Sequence, residues 1–144
     1  MPDSRYPDSP RVAVGAVVIR DGAVLLVRRA KPPSEGLWAI PGGSVELGET
    51  LQQAAERELL EETSVRARAG KPCFVFDAVH RDAKGQVRFH YVVVDLRAEF
   101  VSGDPTPGGD VLEARWVRPG ELEAMAVSER TLDLLREASD FELE

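Results

Sequence analysis

Among its 144 residues the chain has one cysteine, Cys73, and only two histidines, His80 and His90. A lone thiol excludes an internal disulfide and fits a reducing compartment. Cys73 opens an apolar stretch with no activating base beside it, and reads as a small buried hydrophobe. The histidines lack metal-ligand spacing, and each falls at or within a predicted strand, where a hydrogen-bonded structural role is the ordinary one. No apolar run approaches the roughly 20 residues of a membrane span, and the polar start with its prolines has no signal-peptide core. The cytoplasm is the expected location. Basic residues are scarce as well: 18 against 25 acidic ones, for a formal net charge of −7. That balance argues against nonspecific binding to nucleic-acid polymers or to anionic membranes.

Acid is abundant, and it is concentrated. Glu58, Glu61 and Glu62 stand at i, i+3 and i+4, on one face of a predicted helix. Like charges so spaced repel, costing an isolated helix a few tenths of a kcal/mol per pair. A hard divalent cation bound by carboxylate oxygens would offset that repulsion. An acidic run is more often only a solvated helix face. Just upstream, Gly42 and Gly43 allow positive φ and close approach of a ligand to the backbone, although a structural turn explains them equally well.

The length suits one domain, able to bury about two thirds of its unfolded surface. Residues 1–10 read as a flexible or loosely docked lead-in, and 11–140 as the domain. Arg11 to Arg20 and Ala23 to Arg29 are β-branched strands around an Asp21-Gly22 hairpin turn. Leu37 to Ile40 is a short strand stopped by Pro41-Gly42-Gly43. Thr50 and Gln53 form a capping box, and Leu51, Ala54, Ala55 and Leu59 make the buried stripe of the helix that follows. The acidic trio lies largely off that stripe. Pro72 predicts a break, after which Cys73 to His80 and Val87 to Phe100 are strands around the turn at 82–85. A proline- and glycine-rich loop at 102–110 precedes a strand at 114–117. Pro119 starts a turn or short helix, and a final helix capped by Ser128 runs to Ser139. The mixed sheet with a helix after each half gives an α/β (α+β) fold, a layered α/β/α sandwich.

Gly43, five residues, Glu49, seven residues, then Arg57-Glu58-Leu59-x-Glu61-Glu62-x-x-Val65 resembles the box of the Nudix hydrolases. The resemblance implies the same sandwich fold. It also implies a Mg2+- or Mn2+-dependent enzyme that cleaves a nucleoside diphosphate linked to another group. Glu58, Glu61 and Glu62 would be the metal ligands, with the carbonyl of Gly42 or Gly43 as a further one, and Arg57 would orient Glu49 and the helix carboxylates. Ser64 stands where the family usually has glycine, at a left-handed helix exit. An acid from a late loop would serve as general base. Asp110, in its glycine-rich setting, is preferred to Glu113, with an ordinary turn aspartate as the alternative. Arg28 or Arg29 would hold a phosphate bidentately or simply face solvent. Trp38 would stack on a base or, as favoured, plug the core.

The segment Phe89 to Asp95 followed by Glu113 to Trp116 is similar to bacterial ADP-ribose pyrophosphatase-like members. The expected partner is therefore a small-molecule nucleotide, and the family admits a homodimer. Two other readings remain: hydrolysis of oxidised or noncanonical nucleoside triphosphates, and a non-catalytic nucleotide-binding module. A plain scaffold domain is the third.

Overall fold

The computed structural model describes residues 5–32 and 34–137. Strands β1 (Arg11–Arg20) and β2 (Ala23–Arg29) form the first hairpin. Asp21 and Gly22 both take positive φ, 51° and 79°, as the tightest hairpin turns require. β3 (Trp38–Ala39) pairs with β2. β3 stops before Pro41 as expected, and the glycine pair that follows opens a further short strand, β4 (Gly42–Ser44), antiparallel to β1. Gly42 can lie there because it lacks a side chain: a Cβ would stand 2.0 Å from the Val14 carbonyl oxygen.

Helix α1 (Leu51–Thr63) starts at the predicted capping box, with Thr50 and Gln53 each satisfying the other's backbone N–H. β5 (Arg66–Arg81) and β6 (Val87–Ser102) are longer than the sequence suggested. Pro72 does not break β5; the register shifts on either side of it. Proline is tolerated at such irregularities and on edge strands, and β5 ends the sheet. This irregularity leaves Cys73 exposed, correcting the expectation of a buried thiol, with its Sγ 3.4 Å from the Asp95 carbonyl oxygen. β7 (Val111–Val117) pairs with β2, and α2 (Glu129–Glu137) follows a 3-10 turn at Pro119–Ala124. The Ser128 hydroxyl caps α2 through the Thr131 N–H; Ser139, the predicted helix end, lies outside the described residues.

The strands run in the order β3-β2-β1-β6-β5, with β4 beside β1 and β7 beside β2. β1 and β6 are parallel and the remaining pairs antiparallel, so the sheet is mixed as expected. Alternation along β2 divides the core, because successive side chains point to opposite faces. Leu25 joins Val14, Ala16 and Leu96 under the Ala54, Ala55 and Leu59 stripe of α1. Val24 and Leu26 pack instead with Val117, Leu122 and Leu135 of α2. Two helices on opposite faces make the α/β/α sandwich. Among the described residues no helix is long and apolar enough to cross a membrane. Tyr6, in the lead-in, donates its N–H to the Arg88 carbonyl at 2.7 Å and its hydroxyl to Asp82 at 3.0 Å.

Candidate active site

The site forms where β4 meets the middle of α1. Arg57 is its hub. Its guanidinium donates to both oxygens of Glu49, at 2.7 and 2.9 Å, to Glu58 at 2.9 Å and to the Ser44 carbonyl at 3.0 Å. Glu61 lies 3.5 Å and Glu46 3.8 Å from the same group. Two-pronged binding by Arg57, helped by the Glu46 N–H, holds the Glu49 carboxyl down to about 2. The carboxylates in turn raise the Arg57 guanidinium above its ordinary value.

Glu58 and Glu62 are different in kind. Glu58 is half-buried, and desolvation raises its carboxyl in spite of Arg57. Glu62 is buried, 9% exposed, and is the member of the trio for which lying largely off the packed stripe does not mean reaching solvent. Its only hydrogen-bond donor among the described residues is the Gly42 N–H at 2.8 Å. Burial, with Glu58 nearby, pushes its carboxyl up to about 8. Gly43 explains how Glu58 reaches the same place: a Cβ there would stand 2.5–2.7 Å from the Glu58 carboxyl atoms. The glycine pair therefore does more than turn. Gly42 donates to one carboxylate, and Gly43 makes room for the other.

The loop at 102–110 is tied to the end of α1. The Thr106 N–H bonds the Thr63 carbonyl and the Gly108 N–H the Glu62 carbonyl, at 2.8 and 3.1 Å, satisfying acceptors that a helix end leaves open. This docking carries Asp110 to the rim of a cleft of about 1020 Å³, which Glu58, Glu61, Glu62, Gly42, Gly43 and Arg29 also line. There Asp110 pairs with Lys31 at 3.2 Å. Arg29 faces the cleft and eases the Glu62 charge. Its neighbour Arg28 points elsewhere, bonding the Gly36 carbonyl at 3.2 Å and Glu113 at 3.4 Å. The structure thus separates the two arginines, and it separates Asp110 from Glu113. Trp38 packs in the α2-side core and is not part of the cleft lining, so the stacking role considered for it is withdrawn.

The cleft extends past β4 over the exposed side of β1, β6 and β5. Ala13, Gly15, Val93 and Asp95 lie along it, with Phe76, His80, Phe89 and Tyr91. His80 is held by edge-on packing against Phe89, with ring centroids 6.3 Å apart, and burial lowers its imidazole. Sequence reasoning gave no separate role to Asp95 or Arg130. An acidic residue inside a run of valines was the available signal for Asp95.

A model of the Nudix domain matches residues 9–137. The chain is 32% identical over 117 residues to the ADP-ribose pyrophosphatase of Methanocaldococcus jannaschii, across 81% of this chain and 67% of that protein. The fold matches the crystal structure of the MutT Nudix hydrolase from Burkholderia pseudomallei with a TM-score of 0.77 and 32% identity, covering 92% of this chain and all of that one. It also matches the Nudix domain of Shewanella oneidensis NrtR complexed with ADP ribose, with a TM-score of 0.73 and 27% identity, over 92% and 88% of the two chains. A box whose arginine and carboxylates converge on one glycine strand, in a fold shared along nearly the whole chain, means that this protein belongs to the Nudix hydrolase family.

Proposed function

We propose that the chain hydrolyses the pyrophosphate bond of a nucleoside diphosphate linked to a second group, of the ADP-ribose type. Water adds to one phosphorus and the bridging oxygen leaves on the other, giving a nucleoside monophosphate and a phosphorylated partner. The observation that carries the reading is Glu62, a buried carboxylate beside Glu58, opening on a cleft with Arg29 and Asp110 at its edge. Keeping two acids close together and desolvated costs free energy that a structural role does not recover. Likeness to an ADP-ribose pyrophosphatase and to an ADP-ribose-bound domain supports the substrate class.

Among the described residues no three acidic, imidazole or thiol side chains already close on an ion, and Glu61 leans toward Arg57. In chemical kind the donors do fit a hard divalent cation, since all are oxygens and Glu62 lacks a cationic partner in contact. Glu58 and Glu62 would hold Mg2+ or Mn2+, with Glu61 and the Gly42 carbonyl as further ligands. Such an ion neutralises phosphate charge and acidifies water. Arg57, fixed by Glu49, orients Glu58. Arg29 offers a guanidinium to a phosphate. Asp110, on its pinned loop, is the candidate to take the proton of the attacking water. One cysteine and a phosphorylated substrate suit the cytoplasm.

The test is a screen of ADP-ribose, other nucleoside diphosphate sugars, dinucleotide polyphosphates and nucleoside triphosphates with Mg2+ or Mn2+. ADP-ribose turnover is expected, falling on the order of a hundredfold or more in Glu58→Gln and Glu62→Gln with the fold retained. Turnover confined to triphosphates would overturn the substrate class. Full activity in both variants would overturn the ligand assignment.

A further inference from the structure

Asp95 is the most unusual acid outside the box. It sits in the middle of β6 at 4% exposure, opposite Gly15 of β1 in the parallel register. Its carboxylate lies over Gly15, where a Cβ would stand 2.1 Å from Oδ1. Only glycine leaves room for it. No side chain or N–H among the described residues donates to that carboxylate, and burial alone pushes its carboxyl up to about 7. A buried polar group without a partner costs stability and gives the fold nothing in return. The group faces the cleft, so a ligand can supply the partner the protein does not.

The surroundings narrow the ligand's chemistry. Along the same floor stand Ala13 and Val93, with the rings of Phe76, Phe89 and Tyr91 further out. Arg130 lies over Phe76, 4.6 Å from the ring centroid. Apolar and aromatic walls around one buried acid, with His80, Arg88 and Arg130 beyond the rings, suit a flat, largely apolar moiety whose edge carries a complementary donor. An ionised carboxylate offers only acceptors, so it answers an N–H and not a carbonyl; a protonated carboxyl would, like an amide, answer either, so the discrimination belongs to the ionised form. A phosphate would be repelled.

We propose that Asp95 reads the amino group of the substrate's nucleobase, so that the cleft takes an amino-bearing base such as adenine over its 6-oxo counterpart. The phosphates then lie toward Glu62 and Arg29, across β1 from Asp95, since Gly15 pairs with Asp95 on one side and with Gly42, which holds Glu62, on the other. This inference rests on the nucleotide reading given above, but not on which bond is cleaved.

The test measures binding of AMP, IMP and ribose 5-phosphate to the full chain by calorimetry, for the native protein and Asp95→Asn. Native protein should bind AMP tighter than IMP by about tenfold or more, as expected where a site is built to hydrogen-bond one group. In Asp95→Asn the preference should shrink to about twofold or less, because an amide can present either a donor or an acceptor. Ribose 5-phosphate affinity should not change. The melting temperature should not fall, since the substitution removes an unpartnered buried acid. Asp95→Ala should lose the preference in the same way.

A native protein that binds AMP and IMP equally would overturn the proposal, as would a preference that survives both substitutions. Equal weakening of ribose 5-phosphate would assign Asp95 to a sugar hydroxyl instead. A marked fall in melting temperature in Asp95→Asn would make it a structural acid. If ADP-ribose is not cleaved while the AMP preference depends on Asp95, the cleavage reading fails and the base reading stands.

Discussion

Arg57 holds Glu49 by two parallel hydrogen bonds, Nε to Oε2 at 2.7 Å and Nη2 to Oε1 at 2.9 Å. Glu49 precedes the helix, so this pair fixes the guanidinium from outside and leaves Nη1 aimed at Glu58. Arg57→Ala would leave Glu58 and Glu49 without their shared cation. We expect a loss of about 2–4 kcal/mol in stability, read as a melting temperature lowered by about 5–12 °C. Arg57→Lys keeps the charge but not the fork. It should fold well and lose about ten- to a hundredfold in kcat, the scale seen when a group orienting a ligand is removed. A lysine variant with native kcat would show that charge alone suffices.

The two glycines of β4 should respond in opposite ways to the same small change. Alanine at Gly43 meets the end of the Glu58 side chain at 2.5–2.7 Å, and that side chain can swing aside. Alanine at Gly42 meets the Val14 backbone at 2.0 Å, which cannot move without disturbing β1. Gly43→Ala is therefore expected to melt near the native temperature with kcat down on the order of tenfold or more, since it displaces one carboxylate. Gly42→Ala should lose about 1–3 kcal/mol of stability by overpacking. Differential scanning calorimetry beside steady-state kinetics separates the two. Equal melting temperatures would contradict the assigned clashes.

These contrasts mark what the sequence could convey. The box is local: one helix and the loop before it bring Glu49, Arg57, Glu58 and Glu62 together, so helical spacing predicted the pairing of Glu58 with Glu62, and the resemblance of the box added Glu49 and Arg57. The first hairpin and the capping box are local in the same sense, and both appear where turn and cap chemistry put them. The burial of Glu62 depends on Gly42, 20 residues away, and no helical periodicity contains that information. Strand alternation required Arg28 and Arg29 to face opposite ways, but not which one meets the cleft. Asp95 lies over Gly15 only because β1 and β6 run parallel in one register, a long-range pairing. Pro72 misled because its cost depends on lying at an edge, which a single strand cannot declare.

Stability without metal should fall as pH rises through neutrality. Glu62 has its folded value pushed to about 8 from an ordinary 4.5, and Asp95 to about 7 from 3.8. Between those limits the folded chain binds protons that the unfolded chain has released, so each rise in pH favours unfolding. His80 is lowered below its ordinary 6.5 and works the other way beneath that value. The clearest window therefore runs from pH 6.5 to 8. Across it we expect a loss of about 1–2 kcal/mol in metal-free protein, and a flatter profile in Glu62→Gln. Mg2+ or Mn2+ should raise the melting temperature most at the alkaline end, because the cation binds ionised carboxylates. A rising metal-free profile would contradict the burial of Glu62.

Ser64 ends α1 in the left-handed conformation, φ 63° and ψ 7°, with its N–H bonded to the Leu60 carbonyl. The helix exit thus has the geometry that glycine serves, built with a residue that pays for its Cβ. Nothing close by compels serine: its side chain is not among the hydrogen-bonded groups of the site, and the nearby crowding involves its carbonyl, which a Cβ on Gly103 would meet at 2.5 Å. Ser64→Gly should relieve left-handed strain of about 1–2 kcal/mol. Greater freedom of glycine in the unfolded chain offsets part of that, leaving a net gain of about 0.5–1 kcal/mol. The melting temperature should rise by about 1–4 °C, with kcat unchanged because Glu58 and Glu62 are anchored upstream. A lower melting temperature would mean that the serine hydroxyl contributes to the helix exit more than its backbone strain takes away.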